Sequence, residues 1–235
     1  MRVIFIRKES IKHSLLSVVC CAAILVSGAQ LVRIHSINVF AMPASRKIIM
    51  IDAGHGGDDS GARAGKVREK TINLAIAEKL QSYLEVGDAF VLMTRVDDKA
   101  LSQSKKADMY KRKIIANTSG ADIFVSIHQN TNRSSRPSGA QVYYFGSSPK
   151  SKLLAESIYA EIKKAGLPSH RTGTLPNTDY YVLRQTTMPS VLIECGFLSN
   201  PEEARMLTDP EYQNKVAFTI FGSVMSFINS HTEAA

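Results

Sequence analysis

The sequence predicts an α/β fold: a single domain with a mostly parallel central sheet flanked by helices on both faces. Three observations predict it. Short apolar runs alternate with stretches of helical periodicity along most of the 235 residues. His55, His128 and Glu194 each follow such a run, and ligands of open α/β sheets sit beyond the carboxyl ends of strands. Hydrophobic residues make up 44% of the chain, enough for a buried core and too many for a disordered one.

Each element has its own signal. Lys47 to Asp52 is an apolar run that ends in Ala53-Gly54-His55-Gly56-Gly57, a buried strand entering a glycine loop. Thr71 to Leu84 places Ile72, Ala75, Ile76, Leu80 and Leu84 on one helical face. Phe90 to Thr94 reads as a strand, Asp108 to Asn117 as a helix, and Ile123 to Ile127 as a strand that stops at His128. Gly139 to Phe145 is rich in Val and Tyr and reads as a strand. Ser151 to Ala165 is helical, with Gly166 as its C-cap. Tyr180 to Leu183 and Ser190 to Glu194 read as short strands. Pro201 opens a short helix and Pro210 a longer one reaching about Asn229.

The first 41 residues are set apart. Arg2, Arg7, Lys8 and Lys12 precede an apolar run from Leu15 to Val26, and Ser27-Gly28-Ala29 offers a small-x-small cleavage pattern. Val39-Phe40-Ala41 offers a second. The rival reading is a retained anchor: the 19 residues from Ser14 to Val32 would reach roughly 28 Å as a helix. Both readings export the domain, and the second associates it with the membrane. The expected division is therefore a leader over 1–41, a catalytic domain over 46–229 and a tail over 230–235.

The leader's five basic residues and one acid carry +4 of the net charge of +8, so the domain itself is only mildly basic. No motif or basic stripe for nucleic acid is visible. Cys20 and Cys21 lie in the leader, and Val19 before them disfavours lipid attachment. That leaves Cys195 alone in the domain, a core residue with no disulfide partner.

Of six histidines, only His55 and His128 follow apolar strands directly. One such histidine alone would be read as core. Two facing one crevice suit a transition metal, which in catalytic zinc sites takes three protein ligands plus water. Asp58 and Glu69 are the candidates for the third ligand. Asp58 sits in a loop beside two glycines, whereas Glu69 stands at a helix start, on fixed backbone. Glu194 closes the buried run Val191-Leu192-Ile193, an awkward place for a carboxylate that is neither paired nor catalytic. Hydrolysis at a metal needs a base for water and an acid for the leaving nitrogen, and Glu194 can serve as both in turn.

Six segments occur in a fixed order: Ile49-Met-Ile-Asp-Ala-Gly-His-Gly-Gly57, Glu69-Lys-Thr-Ile-Asn-Leu74, Thr94-Arg95, Arg112-x-x-x-Ala-Asn117, Ser126-Ile-His-Gln-Asn130 and Val191-Leu-Ile-Glu-Cys-Gly-Phe-Leu-Ser-Asn-Pro201. Together they resemble the zinc-dependent N-acetylmuramoyl-L-alanine amidase type 3 family over about residues 46–229. The resemblance implies one Zn2+ on His55, Glu69 and His128, with Glu194 as the catalytic glutamate. It implies cleavage of the amide between the lactyl group of N-acetylmuramic acid and the L-alanine of the peptidoglycan stem. Asn130, Gln129, Arg112 and Arg184 are the expected substrate contacts. Gln129 departs from the family's usual small residue. Length and the Gly139-Ala-Gln-Val-Tyr-Tyr144 segment are similar to the short spore-cortex amidases of endospore formers. Two rival functions keep the same site: a zinc carboxypeptidase acting on stem peptides, and a non-catalytic wall-binding protein. An activator protein is a further expected partner.

Overall fold

A computed structural model describes residues 46–232, so the leader reading for 1–41 falls outside the described residues. Six strands form one sheet in the order β4-β1-β5-β8-β6-β7. They are β1 Ile48–Ala53, β4 Phe90–Met93, β5 Ile123–Asn130, β6 Ala140–Phe145, β7 Ser169–Asn177 and β8 Ser190–Phe197. Strands β4, β1, β5 and β8 pair in parallel. Strand β6 runs against β8, and β7 follows β6 in parallel. The sheet is thus mostly parallel, as expected. A separate hairpin, β2 Arg63–Ala64 with β3 Val67–Arg68, precedes the first helix.

The helices are α1 Glu69–Val86, α2 Lys105–Thr118, α3 Pro149–Lys164, α4 Tyr181–Gln185, α5 Pro201–Leu207 and α6 Pro210–Thr232. Strand periodicity sorts the core onto two faces. Ile49, Ile51, Ile123, Val125, Ile127, Val191 and Ile193 pack with Ile72, Ile76 and Leu80 of α1, Leu154 and Ile158 of α3, and Ile220 and Val224 of α6. Met50, Phe124 and Leu192 face the other way, onto Ala116 of α2 and Val182 and Leu183 of α4. Helices cover both faces.

That alternation also aims the chemistry. Asp52 pairs in register with Ser126, and His128 with Glu194. All four share the parity of Met50, Phe124 and Leu192, so they belong to the face covered by α2 and α4. The first and last turns are secured locally. Ser104 caps α2 by accepting from the Ala107 N–H, Ser148 caps α3, and Asn200 accepts from both Glu202 and Glu203 N–H. No helix among the described residues is long and apolar enough to cross a membrane.

Two expectations are corrected. Tyr180 to Leu183 is not a strand; Tyr181–Gln185 forms a short helix. Its Tyr and Val content suggested β structure, but one turn is too short to show a helical period. Strand β7 was not expected. It carries Gly173 and Pro176 and bonds only along β6, as befits an edge strand without alternation.

Candidate metal centre and active site

The end of β1 turns sharply into the loop Gly54–Gly57. His55 there adopts φ 63°, a left-handed conformation that costs a residue with a Cβ on the order of 1–3 kcal/mol. The neighbouring residue must be glycine for a different reason. A Cβ on Gly54 would collide with the ring of His128, nearest its Cε1. Gly61 (φ 62°) is similarly held against the Glu69 carboxylate and the His55 ring. The two rings meet edge to face, with centroids 5.0 Å apart.

Glu69 opens α1 and lies between them. Its Oε2 is 3.2 Å from His55 Nε2, and its Oε1 is 2.9 Å from His128 Nδ1. The backbone fixes this carboxylate further: Oε2 accepts from the Ala62 N–H (2.7 Å) and Oε1 from the Gln129 N–H (3.1 Å). Asn73, one turn along α1, donates to Oε1 at 3.2 Å. Burial alone would raise the pKa of Glu69. Its bonds to His128 and His55 outweigh that and hold it far below the ordinary carboxylate range. Burial likewise works against a charged His55, but Glu69 and then Asp59 outweigh it and raise its pKa.

Asp59 occupies the outer side of His55, its Oδ2 2.8 Å from Nδ1. A carboxylate on the second ring nitrogen is the usual partner of a metal-bound histidine, because it fixes the tautomer. Asp58, the rival ligand, is exposed one residue earlier and is not part of the trio. Sequence reasoning missed Asp59. Its spacing of four from His55 is the only signal, and nothing in composition separates it from Asp58.

The ligand atoms of His55, Glu69 and His128 lie within 4.8 Å of one another. Two imidazole nitrogens and a carboxylate oxygen are a donor set suited to zinc, with metal–ligand distances of about 2.0–2.2 Å. The trio fits a metal ion.

Glu194, on the strand beside His128, contrasts with the trio. It is 7% exposed, and its Oε2 has no hydrogen-bond partner. Burial, reinforced by the nearby Glu69 charge, raises its pKa to about 8, with His55 pulling the other way. The same cleft, of about 580 Å³, is lined by the trio, Glu194, Gln129, Asn130 and Tyr180, over a floor of Met109, Val182 and Leu192. Tyr180, stacked edge-on against Tyr143 at 5.2 Å, was not anticipated.

The expected substrate contacts are placed differently from one another. Asn130 borders the cleft and donates to Gln141 Oε1 at 2.9 Å. Gln129 also borders it, but its amide donates inward to Asn73, and its Oε1 is buried without a partner. Arg112 reaches the cleft wall with only 2% of its side chain exposed. Four of its five N–H groups go to protein acceptors: Asp108, Asp52, the Ala53 carbonyl and the His55 carbonyl. Arg184 is exposed on α4 and does not line the cleft.

A mostly parallel sheet that gathers two histidines and a carboxylate, beside another carboxylate that is unpaired, is an arrangement that could hold a metal ion next to a general base, as α/β hydrolytic domains do. The chain belongs to the N-acetylmuramoyl-L-alanine amidase family, whose Amidase_3 model matches residues 49–226. It is 37% identical over 196 residues to the germination-specific N-acetylmuramoyl-L-alanine amidase of Bacillus subtilis, covering 80% of this chain and 82% of that one. Among solved structures it is similar to the CwlD amidase of Clostridioides difficile, determined in complex with the GerS lipoprotein. That match has a TM-score of 0.75 and 38% identity, and covers 79% of this chain and all of that one. The catalytic domain of the amidase CwlV from Bacillus (Paenibacillus) polymyxa matches with a TM-score of 0.70 at 36% identity, over 78% of this chain and 98% of that one. The chain is thus an enzyme of the amidase class.

Proposed function

We propose that this enzyme cleaves the bond between the muramic lactyl carbonyl and L-alanine with one zinc ion held by His55, Glu69 and His128, and with Glu194 as general base and then acid. The observation that carries the reading is the unpaired Glu194 oxygen, buried in the cleft that the trio lines. A zinc ion bound by the trio would polarise the scissile carbonyl and acidify a water molecule. Glu194 takes a proton at its free oxygen when water attacks, and gives it to the alanine nitrogen as the amide breaks. Burial raises its proton affinity in the metal-free protein, and the positive charge of a bound zinc ion would offset that rise, which suits a group that must first take the proton and then give it up.

The rest of the cleft orients the substrate. The Asn130 side chain borders the reacting end, Gln129 lines it while its amide is turned inward to Asn73, and the apolar floor of Met109, Val182 and Leu192 takes the less polar parts of the substrate. Spore-cortex peptidoglycan is the form of substrate in this reading, in keeping with a relative named as germination-specific. Residues 1–41 act as an export leader or anchor that brings the domain at 46–229 to the wall. A partner protein of lipoprotein type belongs to this reading, since a structural neighbour was determined with one.

Mass spectrometry of peptidoglycan digested by the metal-loaded enzyme tests the proposal. The expected products are peptides with a free L-alanine amino terminus and glycan strands whose sugars are intact. Release of carboxyl-terminal amino acids alone would show a carboxypeptidase instead. No product from metal-loaded enzyme on wall or cortex would show a binding protein.

A further inference from the structure

The loop that carries His55 is held from beneath by two buried arginines. Ala53 C=O accepts from Arg95 Nε at 2.8 Å and from Arg112 Nη1 at 2.9 Å. Gly54 C=O accepts from Arg95 Nη2 at 3.0 Å. His55 C=O accepts from Arg112 Nη2 at 2.6 Å. Three successive carbonyls of this turn thus meet guanidinium donors. The last of the three belongs to His55, a non-glycine residue held at φ 63°.

Both guanidiniums also reach beyond the loop. Arg95 Nη2 donates to Lys70 C=O at 2.8 Å, so a single nitrogen joins the segment of His55 to the start of the helix that carries Glu69. Arg112 is anchored by Asp52 and Asp108, each at 2.6 Å. Asp52 in turn accepts from Thr94 and Ser126 hydroxyls. Among the described residues Arg95 makes no carboxylate ion pair within 4 Å, and its hydrogen bonds go to backbone carbonyls. Two like charges buried side by side are costly, which a purely structural core would avoid.

We propose that Arg95 and Arg112 are positioning residues of the metal centre: together they impose the left-handed backbone at His55 and set its distance from Glu69, so that the ligand trio is assembled before metal arrives. This rests on the trio being the metal site. A planar fork spreads its donors over three nitrogens and can reach fixed carbonyls that stand apart, whereas an ammonium offers its three donors from a single point. Lysine at either position keeps the charge and loses the fork.

The test uses full-length protein carrying Arg95→Lys or Arg112→Lys, titrated with Co2+ and Zn2+ against a chelator, with the Co2+ visible spectrum as a direct view of the ligand set. Metal-free thermal unfolding is measured on the same preparations. Loss of a partner outside the ligand shell typically weakens metal binding 10–100-fold. The expected result is a drop of that size with a changed Co2+ spectrum in protein that still unfolds cooperatively. Folded variants that bind metal within twofold of wild type, with an unchanged spectrum, would overturn the proposal. So would a lowered melting temperature with unaltered affinity in the folded fraction. If neither variant folds, metal-free wild-type protein decides. The φ-sensitive amide–Hα coupling of His55 should already read left-handed and stay constant when metal is added. A coupling that shifts on metal addition would show that metal, not the arginines, shapes the loop.

Discussion

Glu69 and Glu194 are nearly equal in burial, at 3% and 7% exposed, and border the same cleft, yet their surroundings are opposite. The start of α1 gives Glu69 two imidazoles, two backbone N–H groups and an amide. Strand β8, three residues before its end, leaves one oxygen of Glu194 with nothing. Burial pushes both proton affinities up, but the partners of Glu69 reverse the effect and those of Glu194 do not. The first carboxylate is held ionised, as a ligand must be. The second keeps affinity for a proton, as a base that later acts as an acid must. What separates the two roles is the count of donors, not the depth of burial.

The comparison can be broken most severely at Glu69. Glu69→Ala should leave two histidines, bind Zn2+ at least about 100-fold more weakly and lose amide cleavage with it, as chelation of the wild type should. Metal analysis after dialysis, with activity restored by added Zn2+ in the wild type only, checks this. Stoichiometric metal in Glu69→Ala would move the third ligand elsewhere.

A smaller effect sharpens the same contrast one shell out. Asp59→Ala should weaken metal binding roughly 10–100-fold by freeing the outer nitrogen of His55. Asp58→Ala, at the neighbouring exposed position, should bind as the wild type does. Chelator competition on the two variants separates them, and equal losses would deny Asp59 its place.

The smallest effect is on stability, and it belongs to Glu194. Its pKa in the folded, metal-free protein is raised to about 8 from an ordinary 4.5. Its contribution is therefore fully present below about pH 4.5 and is lost as pH rises through about 8. Glu194→Gln has no charge to bury, so the metal-free variant should gain on the wild type across that window, by on the order of a few kcal/mol at most. Urea unfolding of both proteins at several pH values measures the gap. A gap that stays constant from pH 4.5 to 8 would mean that Glu194 is ionised throughout.

The sequence makes the buried strands legible because parallel ones are continuous apolar runs, and a polar residue that interrupts one stands out, although β5 and β8 run on past those residues to Asn130 and Phe197. That is how His128 and Glu194 announce themselves. Glu69 needs more, since a helix-start acid is ordinary until two histidines share its crevice. Asp59 is hidden because only its spacing of four from His55 separates it from Asp58, and the grip of Arg95 on the His55 loop because it is a contact across 42 residues that no local pattern encodes. Arg112 was legible as a motif but not in its role. Its side chain could not be known to turn toward Asp52, 60 residues away, rather than toward substrate. The start of α2 at Lys105 was hidden for a local reason: two lysines precede the first half-buried residues, and only the Ser104 cap marks the true beginning.

The central claim is that metal binding and proton transfer belong to different carboxylates. Glu194→Gln tests it when zinc content and amide cleavage are measured on one preparation of metal-loaded enzyme. The account predicts one zinc per chain and a loss of turnover of at least ~10²–10⁴-fold, the usual worth of a general base. Full zinc with wild-type turnover per folded molecule would contradict it, and would leave Glu194 as a merely buried residue.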